Sequence, residues 1–119
     1  MARIVVDAAF EVHRVLGPGL LEAVYEQALS LELELRQVRF VRQSPVAILY
    51  KDTPIGEARL DFLVAGRLIV ELKACAELLP IHTAQVLSYL KASKRTLALL
   101  INFNVRLFRD GVRRVIRTL

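Results

Sequence analysis

Asp61, Glu71 and Lys73 are the residues whose types and spacing could do chemistry. They stand in "RLDFLVAGRLIVELKA", residues 59–74, among leucine, valine, isoleucine and phenylalanine. Burying charge is expensive unless the charge is paired or bound to a metal. Side chains alternate along a strand, so Glu71 and Lys73 share one face, while Leu68, Val70, Leu72 and Ala74 share the other and enter a core. Arg67, Ile69 and Cys75 continue the charged face, which makes it partly apolar and semi-enclosed. Two carboxylates a few ångströms apart repel, and one tends to keep its proton. A divalent cation reverses that preference, and hard oxygen ligands suit Mg²⁺ or Mn²⁺. A lysine beside the ion could orient a water or stabilise charge on a phosphate, which is the chemistry of metal-assisted phosphodiester hydrolysis. The same residues also fit an ordinary arrangement: a Glu71–Lys73 surface ion pair worth about 0–1 kcal/mol, with Asp61 capping a turn.

Whether Asp61 joins the other two depends on the turn between two strands, read as about Glu57 to Val64 and about Leu68 to Ala74. A two-residue loop at Ala65-Gly66 would pair Asp61 with Val70 and send it to the opposite face. A three-residue loop, Ala65-Gly66-Arg67, sets Asp61 across from Glu71, and glycine suits such a loop. The three-residue loop, or a bulge with the same effect, is the expectation.

The elements that must position these residues follow from periodicity. Val5, Ala8, Ala9, Val12 and Leu16 recur at helical spacing over residues 3–16, and "GPG" at 17–19 breaks that helix. A second helix runs to about Arg36, with Leu21, Val24, Ala28, Leu31 and Leu35 as its apolar face. Residues 38–43 alternate and 46–50 form a short apolar run after Pro45, followed by turn chemistry at 51–54. Pro80 opens a helix to about Ala92, on which Val86, Leu87 and Leu90 pack inward. Residues 96–103 read as a buried strand, and 106–117 as a hairpin around Asp110-Gly111. One mixed sheet flanked by helices, α/β or α+β, is the architecture this order implies.

The 119 residues argue for one domain over 1–119, and 55% apolar residues with 24% charged ones argue for a folded globular chain. No apolar run is long enough to span a bilayer, and the N-terminus shows no secretory leader. The single Cys75 makes no internal disulfide, which fits a cytoplasmic setting. Two histidines without paired cysteines give no zinc pattern, and His13 and His82 lack a recognisable nucleophile partner, so both read as structural. Cys75 itself reads as a small buried hydrophobe. The net charge of +5 is uneven: residues 91–119 hold eight Lys/Arg and one Asp, whereas residues 1–90 hold nine Lys/Arg and eleven Asp/Glu. A basic C-terminal quarter could attract a polyanion, though an ordinary basic surface gives the same count.

Asp61 followed by Glu71-Leu72-Lys73 resembles the core motif of the PD-(D/E)XK nuclease superfamily. "GLLEAVYE", residues 19–26, fits Gly-x-x-Glu-x-x-Tyr through Gly19, Glu22 and Tyr25. With "EVHRVLGPG", "ARLDFLV", "IVELKA", "HTAQVLSYL" and "LLINFNV" in the same order, nearly the whole chain resembles the GxxExxY family. The resemblance implies a restriction-endonuclease-like core, with Asp61 and Glu71 binding Mg²⁺ or Mn²⁺ and Lys73 assisting the water or the phosphate. It also implies that Glu22 adds a helical acid to the metal site, and that Gln85 and Tyr89 lie beside the active site. Read from spacing alone, Glu22, Tyr25 and Glu26 form a patch on one side of a helix that could equally be a solvated face. Gln85 and Tyr89, four apart with His82 and Ser88, form a polar strip that could touch a ligand or water.

Three functions compete. The first is a metal-dependent nuclease acting on DNA, with RNA also open, through metal-activated water. The second is a non-catalytic nucleic-acid-binding module of nuclease ancestry, and the third an assembly module whose acids serve structure. A domain this small offers little surface for reading a base sequence, so it either recognises DNA shape or works as a dimer or with a partner; in a homodimer, two sites related by a two-fold axis could cut both strands.

Overall fold

A computed structural model describes residues 1–118. Two helices come first, α1 (Ala2–Leu16) and α2 (Glu22–Leu35), followed by three strands, β1 (Phe40–Tyr50), β2 (Thr53–Val64) and β3 (Leu68–Lys73). Helix α3 (Pro80–Ser93) leads to β4 (Leu97–Asn102), and a 3₁₀ turn (Phe108–Gly111) leads to β5 (Val112–Ile116). The strands form one mixed sheet in the order β1-β2-β3-β4-β5, α/β in class as expected. Only β3 and β4 are parallel; the other neighbours are antiparallel. A parallel pair needs a crossover, and α3 supplies it. Among the described residues no helix is long and apolar enough to cross a membrane.

The sheet has a core on each face. On one side Val5, Ala8, Ala9 and Val12 of α1, with Tyr25, Leu29 and Leu33 of α2, pack on Val64, Val70, Leu72, Leu99 and Ile101. On the other, Val86 and Leu90 of α3 pack on Ile69, Ala98, Leu100 and Val115. The alternation of β3 creates this division: Leu68, Val70 and Leu72 face the first core, Ile69 the second. Glu71 lies on the α3 side, in register with Leu100.

Several sequence expectations are corrected. The expected apolar face of α2 is on the outside, with Leu21 76% and Leu35 68% exposed and Leu31 also exposed. Its buried stripe is Tyr25, Leu29 and Leu33. Helix α2 carries two apolar stripes, and periodicity cannot choose between them. Tyr25 is therefore in the core, not in a surface patch with Glu22 and Glu26. Leu16 and Leu87 are exposed rather than inward. Cys75 is half-buried, its thiol donating to the Glu77 carbonyl at 3.2 Å.

The runs at 38–43 and 46–50 join into the one strand β1, which tolerates Pro45 because it is an edge strand. Strand β2 starts at Thr53 rather than Glu57, because Lys51 and Asp52 both take positive φ, at 48° and 66°, and close a two-residue hairpin turn. Residues 106–117 form no hairpin. The 3₁₀ turn folds Phe108 into the core, and β5 pairs back onto β4. A Cβ on Gly111 would collide with the Asn102 carbonyl oxygen, so only glycine lets the two segments pass so closely. The basic C-terminal residues make no single stripe: Arg113 and Arg114 alternate on β5, while Arg95 and Arg117 donate to the carbonyls of Gly66 and Arg95.

Candidate metal and nuclease site

Strands β2 and β3 pair through Val64–Leu68, Leu63–Ile69 and Phe62–Val70, so the turn is the three-residue Ala65-Gly66-Arg67. Ala65 and Gly66 take φ of 52° and 68°, and Arg67 N–H donates to Val64 O at 3.0 Å. This register carries Asp61 opposite Glu71. At that rung the regular ladder stops and the two acids bridge it. Asp61 N–H donates to Glu71 Oε1 at 3.1 Å, and Leu72 N–H donates to Asp61 Oδ2 at 2.8 Å. One oxygen of each carboxylate is thus held by a backbone N–H.

The electrostatics of the pair are strained. Glu71 is only 7% exposed, and its burial, reinforced by the Asp61 carboxylate, pushes its pKa up to about 9. Burial also raises the pKa of Asp61, while the Leu72 N–H and the Gln43 amide oppose that rise. Without a cation, Glu71 therefore holds a proton at neutral pH.

Lys73 and Gln85 meet through a long contact, with Lys73 Nζ 3.5 Å from Gln85 Oε1. Tyr89, one helical turn on, is half-buried; burial raises its pKa and the carboxylates of Glu71 and Asp61 add to the rise, which places it within their field. Glu22 opens α2 with an exposed side chain, yet the protein around it removes enough water to raise its pKa. Asp61 and Glu26 add to that rise and Lys73 opposes it. The structure thus brings Asp61, Glu71, Lys73, Gln85 and Tyr89 to the α3 side and sets Glu22 at the margin. Among the described residues, no three His, Cys, Asp or Glu side chains are gathered closely enough to hold a metal.

Local folding explains why Glu22 sits at that margin. The buried Tyr25 hydroxyl donates to Gly17 O at 2.6 Å and accepts from Leu20 N–H at 3.1 Å. Its ring stacks on Phe103 at 4.7 Å. Gly19 takes φ of 102°, which favours glycine. The glycine and tyrosine of Gly19-x-x-Glu22-x-x-Tyr25 thus shape and pin the loop from which Glu22 starts the helix.

Sequence reasoning missed three contributors. Asn102, 1% exposed in an apolar strand, accepts from Cys75 N–H and Asn104 N–H at 3.1 Å each and donates to Cys75 O at 3.0 Å. With Phe103 N–H on Lys73 O at 3.0 Å, it clamps the chain just beyond Lys73. Glu26 and Gln43 form the others: Gln43 Nε2 donates to Glu26 Oε1 at 3.0 Å and lies 3.5 Å from Asp61 Oδ1. The one signal in the sequence was a buried-strand asparagine with no apolar role. His13 donates from Nε2 to Val105 O at 2.6 Å, and His82 Nδ1 accepts from Leu79 N–H at 2.9 Å, so both serve structure.

Residues 1–115 match the family model of the PD-(D/E)XK nuclease superfamily. The chain belongs to that superfamily. No curated protein and no solved structure gives a match. The mixed sheet and its three helices agree with the restriction-endonuclease-like fold of the superfamily. Nucleases of the superfamily typically use divalent metals. The donor set here fits such an ion: two oxygen-only ligands, each already oriented by a backbone N–H, in a place where one must otherwise stay protonated.

Proposed function

We propose that this protein is a metal-dependent nuclease of the GxxExxY group that hydrolyses phosphodiester bonds of DNA. One observation carries the reading: Asp61 and Glu71 face each other where β2 and β3 part, with Lys73 on the same face. Asp61 and Glu71 are the residues that would hold Mg²⁺ or Mn²⁺, with Glu22 at the mouth of the site to support them. The bound ion would supply an activated water and neutralise charge on the phosphate. Lys73 orients that water or stabilises the phosphate, Gln85 restrains the Lys73 amine, and Tyr89 borders the carboxylates. A cation held by only two carboxylates keeps open positions for water and substrate oxygens. The narrower group rests on Gly19, Glu22 and Tyr25, whose spacing gave the resemblance. A two-fold dimer in the cytoplasm, cutting both strands, completes the reading.

The test is cleavage of supercoiled DNA, and in parallel of RNA, with Mg²⁺ or Mn²⁺ by the wild type and Lys73→Ala. We expect metal-dependent nicking of DNA that falls about 100-fold or more in the variant. Activity unchanged by the substitution refutes the assignment. Binding that weakens steeply with salt, with no cleavage under any metal, supports a non-catalytic nucleic-acid-binding module instead.

A further inference from the structure

We propose that Gln43 is a positioning residue for Asp61, its amide anchored on Glu26 and its left-handed backbone serving to bring it there; the inference rests on the nuclease reading above.

Gln43 stands directly across from Asp61. The paired rungs on either side are Arg42–Phe62 and Ser44–Leu60, and the ladder is broken only at the rung between them in this stretch. Its φ is +51°, in the region that β-strand residues avoid and glycine favours. Left-handed backbone at a non-glycine residue persists only where its surroundings enforce it, and such residues concentrate at functional sites.

The β1–β2 ribbon turns over at this rung. Phe40, Phe62 and Val64 serve the core under α1 and α2, whereas Leu60 and Val46 serve the core under α3. Asp61 lies at the turnover. Its backbone N–H leaves the ladder for Glu71 Oε1, and its carboxylate reaches the Leu72 N–H.

The Gln43 side chain completes this arrangement from the other side. A primary amide has two N–H donors, enough for Glu26 Oε1 at 3.0 Å and the longer contact to Asp61 Oδ1 at 3.5 Å. Glu26 is itself fixed, because Arg42 donates to its Oε2 from Nη2 at 2.8 Å and from Nε at 3.2 Å. Arg59 Nη1 donates to the Gln43 carbonyl at 3.3 Å. Glutamine suits the role because it is neutral. It restrains a carboxylate without competing with a cation for it, as an arginine or lysine at 43 would.

The test is Gln43→Gly, read by calorimetric titration of the full chain with Mn²⁺ and by the thermal midpoint of the metal-free protein. Glycine adopts the backbone freely but has no amide to offer. We expect the midpoint to hold or rise while Mn²⁺ affinity falls about 10- to 100-fold, the loss typical for groups that orient metal ligands. Gln43→Asn, which also tolerates a left-handed backbone but is one carbon shorter, should show the same loss. Wild-type affinity in both variants overturns the proposal and leaves the nuclease reading standing. A Gln43→Gly protein that unfolds or melts well below wild type overturns it as well, since the residue would then hold the fold rather than the site. A wild type that binds no Mn²⁺ overturns the nuclease reading, and this inference falls with it.

Discussion

Glu71→Gln should make the metal-free protein more stable. The Glu71 carboxyl has an ordinary pKa of 4.5 and is pushed up to about 9 in the folded protein, by burial first and the Asp61 carboxylate second. A carboxyl with a raised folded pKa contributes fully below its unfolded pKa, and that stability is lost as pH rises toward the folded value. Between pH 4.5 and pH 7 the unfolded chain releases this proton while the folded chain keeps it. At 1.36 kcal/mol per pH unit, the wild type forfeits about 3 kcal/mol by pH 7. Glutamine mimics the protonated carboxyl in shape, accepts from the Asp61 N–H as Glu71 Oε1 does, and never ionises. For a chain of this length the difference corresponds to roughly 10 °C in thermal midpoint. The assay is thermal unfolding in a chelator from pH 4.5 to pH 9. The wild-type midpoint should fall across this range. The variant should match it near pH 4.5, exceed it by about 10 °C at pH 7, and keep only a shallower slope from Asp61 and Glu22, whose pKa values are also raised. Equal slopes in the two proteins, or a variant less stable at pH 7, would refute this account of the acid pair.

Other consequences are simpler. Tyr25→Phe leaves Gly17 O and Leu20 N–H without their partner and should cost about 1–3 kcal/mol by denaturant unfolding; on the proposed nuclease reading, DNA cleavage should fall by more than this stability loss explains, because Glu22 loses its fixed start. Gly111→Ala forces a methyl group against the Asn102 carbonyl oxygen and should cost at least about 2 kcal/mol, with a change in the near-ultraviolet signal of the Phe103–Phe108 cluster. Lys73→Ala removes one long contact and should leave stability within about 0.5 kcal/mol, which separates the proposed chemical role from folding.

Much of the site was legible because strands write their geometry into the sequence. The period of two put Glu71 and Lys73 on one face, and Gly66 in a three-residue turn put Asp61 opposite Glu71. Pro80 marked the start of α3, and with it the helix that carries Gln85 and Tyr89. The rest depended on contacts that spacing does not encode. The 3.6-residue period of α2 allowed two apolar faces, and which one is buried shows only in the packing of Tyr25, Leu29 and Leu33 against the sheet. The left-handed backbone of Gln43 has no signature, since glutamine is not a turn residue. Asn102 lay hidden in an apolar strand because its partners, Cys75 and Asn104, lie in loops. Residues 108–111 looked like a hairpin turn because Asp-Gly serves there most often, but the close passage under Asn102 took the glycine for a different purpose.

The central claim is that Asp61 and Glu71 together take a divalent cation, with Glu71 giving up its proton as they do. Mn²⁺ titration at pH 7, repeated in buffers of different ionisation enthalpy, measures binding and proton release at once. The account predicts a single binding event that releases about one proton and that disappears in Asp61→Asn. Absence of binding heat in the wild type, or the same heat in Asp61→Asn, would contradict it.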